Sequence, residues 1–68
     1  VTNTLELEIA IKRAGFTKRK VAKKMNLSEM GLYKKIHNIT EFKASEIEFL
    51  TNLLDLKDKS IFFNLVVI

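Results

Sequence analysis

A chain of 68 residues, 47% apolar and 29% charged, is long enough for one small globular domain, spanning 1–68, and too short for two. With no cysteine it can build neither a disulfide nor a thiolate metal site, and nothing in its residue usage points to an oxidising compartment. No run approaches the roughly 18 apolar residues of a membrane span, and the N-terminal region lacks the apolar core of a secretory signal, so a cytoplasmic location is expected.

The formal net charge is +4, and its placement says more than its size. Nine of the twelve basic residues, Lys12, Arg13, Lys18, Arg19, Lys20, Lys23, Lys24, Lys34 and Lys35, lie between positions 12 and 35, with only Glu29 against them. The other seven acids flank this block. Such asymmetry suits a face laid on a polyanion, while the plainer reading is a solvated, lysine-rich surface.

The absence of proline and the presence of only two glycines favour an all-α fold, a compact bundle of four to five helices. Residues 4 to 14 are expected to form the first helix, with Asn3 as cap and Glu6 three residues on. Its inward face would be Leu7, Ala10, Ile11 and Ala14, and Gly15 would stop it. Leu5 to Ile9 also alternates between apolar and acidic, so a short strand is the rival reading there. On the helical choice Leu5 and Ile9 fall outside the core face, available to the C-terminal tail or to a partner.

Thr17 to Ile36 then reads as two short helices joined by a tight turn. Thr17 is a good N-cap before Val21, Ala22 and Met25, which share one face. Asn26 stands where a left-handed residue must end the first helix, Leu27 can plug the corner, and Ser28 can cap the second. The inward residues of that second helix are Leu32 and Ile36, an i, i+4 pair. This is the layout of a helix-turn-helix over about 17–37. Gly31 inside a helix costs about 1 kcal/mol relative to alanine, which a close approach of the two helices or of DNA would explain, a local loop being the duller account.

His37 to Glu41 reads as a loop with Phe42 returning to the core. A fourth helix is expected from about Ala44 to Leu54, with Ile47, Leu50, Leu53 and Leu54 inward, Phe49 beside them, and Glu46 and Glu48 near its positive end. Asp55 to Asp58 connects it to the tail, with Leu56 tucked inward and Asp58 as a cap. Ile61 to Phe63 could finish a short fifth helix. Leu65 to Ile68 is mostly β-branched and has strand preference, which makes 60–68 a candidate dimerisation element; packing against the first helix is the equal alternative. No internal repeat or low-complexity segment is present.

A helix that reads DNA must enter the major groove while its scaffold grips phosphates on either side. With Leu27, Leu32 and Ile36 inward, Ser28, Glu29, Met30, Tyr33, Lys34 and His37 are left outward as base-reading candidates. Glu29 can accept from a cytosine amino group, Lys34 can donate to guanine, and Met30 or Tyr33 can cover a thymine methyl. Thr17, Lys18 and Arg19 begin the preceding helix, where free backbone N–H groups favour phosphate; Lys35 and Asn38, toward the end of the reading helix, complete the phosphate set. His37 is the only histidine, so a metal role is not expected. Neither a nucleophile–base pair nor a glycine-rich phosphate loop occurs, so no enzyme activity, cofactor or small-molecule substrate is expected.

Leu7 and Ala10 ahead of Gly15, Val21-Ala22 with Met25-Asn26-Leu27, and Leu32-Tyr33-Lys34-Lys35-Ile36 together resemble the Cro/CI-type repressors of bacteriophages and related bacterial regulators, of lambda-repressor-like fold. The family's usual turn glycine is here Asn26, and its frequent glutamine at the start of the first motif helix is Lys18. The resemblance implies a helix bundle acting in a bacterial host cell, a homodimer on palindromic operator DNA, and transcriptional repression. A different class of reading is a protein-interaction module, antirepressor or antitoxin-like, that reuses the fold without reading DNA. A cationic membrane-active protein is disfavoured by the interleaved acids of the first and fourth helices.

Overall fold

A computed structural model of the chain describes residues 1–63. Within them lie four α-helices, α1 (Thr4–Arg13), α2 (Lys18–Lys24), α3 (Glu29–Ile36) and α4 (Ala44–Leu53), then one 3-10 turn, Ser60–Phe63, and no strand. Leu5 to Ile9 is therefore helical, and the alternation of apolar and acidic residues there reflects a helix with apolar residues on two sides. The expected strand at Leu65 to Ile68, and its part in dimerisation, lie outside the described residues. None of the helices among the described residues is long and apolar enough to cross a membrane.

Helices of seven to ten residues are too short to persist alone, so their starts and stops must be fixed by side chains and their faces by packing. Asn3, Thr17 and Ser28 cap α1, α2 and α3, each side-chain oxygen accepting from the backbone N–H three residues on, at 3.1, 3.1 and 2.9 Å. Lys43, which opens α4, has no side-chain acceptor. Glu46 supplies the missing half by accepting the Lys43 N–H at 2.8 Å. Asp58 accepts the Ser60 N–H at 2.9 Å and so caps the 3-10 turn as expected.

All four helices stop in the same way. Gly15, Asn26, Asn38 and Asp55 adopt left-handed backbone, with φ of 82°, 57°, 63° and 52°. In each case the next residue donates its N–H back five residues, Phe16 to Ile11, Leu27 to Ala22, Ile39 to Lys34 and Leu56 to Thr51, at 2.8–3.1 Å. The left-handed residue itself donates three residues back, which completes a Schellman closure on every helix. Phe16, Leu27 and Leu56, the residues just past three of these stops, pack on the core; Ile39, past the fourth, is 64% exposed.

The core they surround consists of Leu7 and Ile11 from α1, Val21 and Ala22 from α2, Leu32 and Ile36 from α3, Ile47, Leu50 and Leu54 at α4, and Phe62. Phe42 meets Phe62 edge to face, with ring centroids 5.3 Å apart, closing the end of the bundle as its anchoring role requires. Two expected core residues are elsewhere. Ala14 is exposed because α1 stops one residue early, at Arg13. Phe49 is 41% exposed: at 3.6 residues per turn it points about 100° away from Leu50, on the side of α4 turned from Ile47.

Gly31 is helical, and no residue of the facing helix crowds it. A Cβ there would lie 3.1 Å from the Oγ of Ser28, so the close approach comes from the helix's own cap. The N-terminal arm crosses over the end of α3. Asn38 pairs with Thr2 in both directions, Thr2 N–H donating to Oδ1 at 2.8 Å and Nδ2 donating to the Thr2 carbonyl at 2.9 Å. The Thr4 hydroxyl donates to the Ile36 carbonyl at 2.7 Å, and Asn3 N–H donates to the Ile61 carbonyl at 2.7 Å.

Leu50 is fully buried, and Leu50→Ala should destabilise by about 2–5 kcal/mol through lost transfer energy and the cavity left behind. A domain of this size holds only about 3–5 kcal/mol in total, so thermal melting followed by circular dichroism should find the variant largely unfolded at ambient temperature.

Candidate nucleic-acid interface

The Asn26 stop and the Ser28 cap leave α2 and α3 only four residues apart, and Val21, Ala22, Leu32 and Ile36 seal the angle between them. Burial of that stripe turns the opposite side of α3 outward. Ser28, Glu29, Met30, Tyr33, Lys34 and His37 are all exposed; of these, Glu29, Met30 and Tyr33 line one groove and His37 stacks on Tyr33. Ser28 Oγ already accepts the Gly31 N–H, which leaves its hydroxyl hydrogen for an outside acceptor. Tyr33 and His37 stack one helical turn apart, with ring centroids 4.3 Å apart and planes tilted by 37°. Lys18, Glu29, Met30 and Tyr33 rim a shallow groove of about 280 Å3 floored by Leu32 and Ile36.

Of the expected phosphate contacts, Thr17 and Arg19 stand exposed at the start of α2. Thr17 Oγ1 caps that helix by accepting the Lys20 N–H. Arg19, Lys20, Lys23 and Lys34 make no ion pair with another side chain among the described residues. Lys24 folds back over the ring of Phe16, 5.8 Å from its centroid.

Three members of the expected set are engaged within the fold. Lys35 turns inward: its ammonium lies 3.0 Å from Glu46 Oε1 and donates to the Glu41 carbonyl at 3.0 Å, with only 12% of its side chain and 16% of that of Glu46 exposed. It ties α3 to the loop and to α4 instead of facing outward, because i, i+3 geometry places it beside Leu32 on the inner flank. Asn38 likewise spends its amide on Thr2, and the left-handed backbone that ends α3 aims it there. Lys18 is exposed but ion-paired with Glu8 of α1, the two side chains being 52% and 31% exposed. Neither ion pair was foreseen from the sequence, since each joins residues ten or more apart. An asparagine two residues past a helix end is the available signal for Asn38, the same signal that marks Asn26.

The charges around these pairs follow from their partners. The hydrogen bond from Lys18 holds the Glu8 carboxyl below the usual glutamate range, outweighing the small effect of burial. For Glu46 burial is the largest influence and opposes ionisation, but the Lys43 N–H and the Lys35 ammonium together hold its carboxyl below the ordinary value. Among the described residues no cluster of three or more histidine, cysteine or acidic side chains is placed to hold a metal ion.

Comparison of the chain with protein-family models, with curated proteins and with solved structures returned no match.

Two tests follow from this geometry. A carboxyl whose folded pKa is depressed contributes stability above its unfolded pKa and loses it as pH falls through the folded one, so part of the stability should disappear below about pH 4.3. Glu46→Gln, which keeps the acceptor for Lys43 but not the charge, should lower stability at neutral pH and flatten this acid limb in denaturant titrations across pH. Asn38→Ala should cost about 1–2 kcal/mol in the same titrations, because it removes two partly buried hydrogen bonds.

Proposed function

We propose that this chain is a sequence-specific DNA-binding regulator of helix-turn-helix type, lambda-repressor-like in fold, with α2 and α3 as the motif and α3 as the reading helix. The observation that carries the reading is the outward face of α3, where Glu29, Met30, Tyr33 and His37 are exposed together, on a pair of helices that also carries Arg19, Lys20 and Lys34 exposed and without a side-chain ion pair among the described residues. A helix with that face suits the major groove, and its cationic border suits the phosphates on either side. The resemblance to Cro/CI-type repressors supports the same assignment and adds repression and homodimeric operator binding, with half-sites about 34 Å apart. Within this reading Glu29, Met30, Tyr33 and Lys34 contact bases, Ser28 and His37 lie at the two ends of the contact, and Thr17 and Arg19 meet phosphate.

A second reading has its own observation. Leu5 and Ile9 lie exposed on α1, with Phe16 half-buried beside them, in a depression that shares only Lys18 with the α3 groove. An apolar surface of this kind suits a protein partner, as in an antirepressor or antitoxin-like module that does not bind DNA. The two differ in a direct measurement, retention on duplex DNA.

Selection from a random duplex library should recover a palindromic sequence. Lys34→Ala should then cost about 1–3 kcal/mol on that sequence and relax preference at one base pair. Arg19→Ala should weaken binding to all duplexes alike and reduce the salt slope by about one. Equal affinity for every duplex at physiological salt would remove specificity from the proposal, and loss of the same base preference in both variants would remove the residue roles.

A further inference from the structure

The DNA-binding reading leaves one residue unexplained. Glu8 is an acid on α1, yet its carboxylate reaches the first residue of α2 and engages the ammonium of Lys18 on the rim of the α3 groove. Both side chains remain partly open to solvent, so the contact is not a buried structural tie of the Lys35–Glu46 kind. An exposed pair of this sort adds little to stability and opens readily. Its electrostatic effect on the rim is larger. The Lys18 ammonium is neutralised by a carboxylate that itself repels phosphate.

We propose that Glu8 is an internal competitor for DNA phosphate, holding Lys18 and thereby limiting the affinity of the protein for duplex DNA. Phosphate gains the Lys18 contact only by displacing a carboxylate that stays beside it, so in the native protein Lys18 contributes little to binding. This rests on the DNA-binding reading and adds to it a residue outside the motif that sets how tightly the motif's face holds a polyanion. Glu8 acts through Lys18 and is a positioning residue, not a base or phosphate contact.

The test uses the full chain and a short labelled duplex of random sequence, titrated by fluorescence anisotropy across a series of salt concentrations. Glu8→Gln should tighten binding about fivefold and steepen the salt slope by about 0.9, the signature of one additional neutralised phosphate. Glu48→Gln is the matched control, because it removes the same charge from the exposed pair between Glu48 of α4 and Lys59 of the following connector without freeing a lysine at the start of α2. Its affinity should stay near that of the native chain. Lys18→Ala should change binding little in the native background and abolish the gain in the Glu8→Gln background. Melting curves establish that each variant is folded at the temperature used, and Glu8→Ala repeats the measurement with a second side chain should Glu8→Gln prove unstable. Unchanged or weaker binding by Glu8→Gln, an equal gain from Glu48→Gln, or a gain that survives Lys18→Ala would overturn the inference while leaving DNA binding intact. Failure of the native chain and of Glu8→Gln to bind any duplex at low salt would overturn both.

Discussion

Everything in this fold depends on stopping short helices sharply. None of the four exceeds ten residues, and each ends in a left-handed residue followed by a backbone bond to the turn before. The closure has two effects at once. It satisfies carbonyls that a frayed end would expose, and it throws the next side chain back toward the bundle. Phe16, Leu27 and Leu56 reach the core in this way, so the connectors add apolar surface to a core that the helices alone would leave too small. Without those turns α2, at seven residues, would have neither a defined end nor a partner at a fixed angle.

The outward face of α3 inherits its geometry from this constraint. The stop at Asn26 and the cap at Ser28 set where α3 begins, and Leu32 and Ile36 set its rotation by burying one stripe. Its far end is fixed differently, by Asn38 bonded to Thr2 and by the Thr4 hydroxyl on the Ile36 carbonyl. The first four residues of the chain thus hold the last turn of the helix that carries the candidate contacts. A face used for recognition gains from being held at both ends, since less side-chain and backbone freedom remains to be lost on binding.

Local chemistry was readable in the sequence, and pairing at a distance was not. Asn3, Thr17, Ser28, Gly15 and Asn26 declare caps and stops through their own side chains or backbone freedom, and each acts within five residues of its position. The i, i+3 and i, i+4 rows of Leu7 with Ile11 and Leu32 with Ile36 likewise predict the core directly. Asp55 is not marked as a stop in the sequence because aspartate also serves as a solvent-facing connector, and Phe49 is ambiguous because a large aromatic one position off the seam looks the same in a linear pattern as one on it. The fates of Lys18, Lys35 and Asn38 depend on Glu8, Glu46 and Thr2, residues 10, 11 and 36 positions away. A run of lysines carries no mark of which members will find an acid in the folded chain.

That sorting changes what the basic block means. Counted in the sequence, nine cations between positions 12 and 35 form one footprint; folded, Lys18 and Lys35 are neutralised by acids and Lys24 lies over an aromatic ring, which leaves Arg19, Lys20, Lys23 and Lys34 as the uncompensated set on α2 and α3. The exposed apolar residues also divide. Met30 and Tyr33 line the α3 groove with Glu29, whereas Leu5 and Ile9 line the depression beside Glu8 and Phe16. The two proposed readings therefore draw on different exposed apolar residues, in two depressions that meet at Lys18. The DNA-binding and interaction-module readings are rivals only as accounts of the α3 face; the α1 patch is compatible with either, and a chain whose small core leaves it marginally stable gains from any association that covers it.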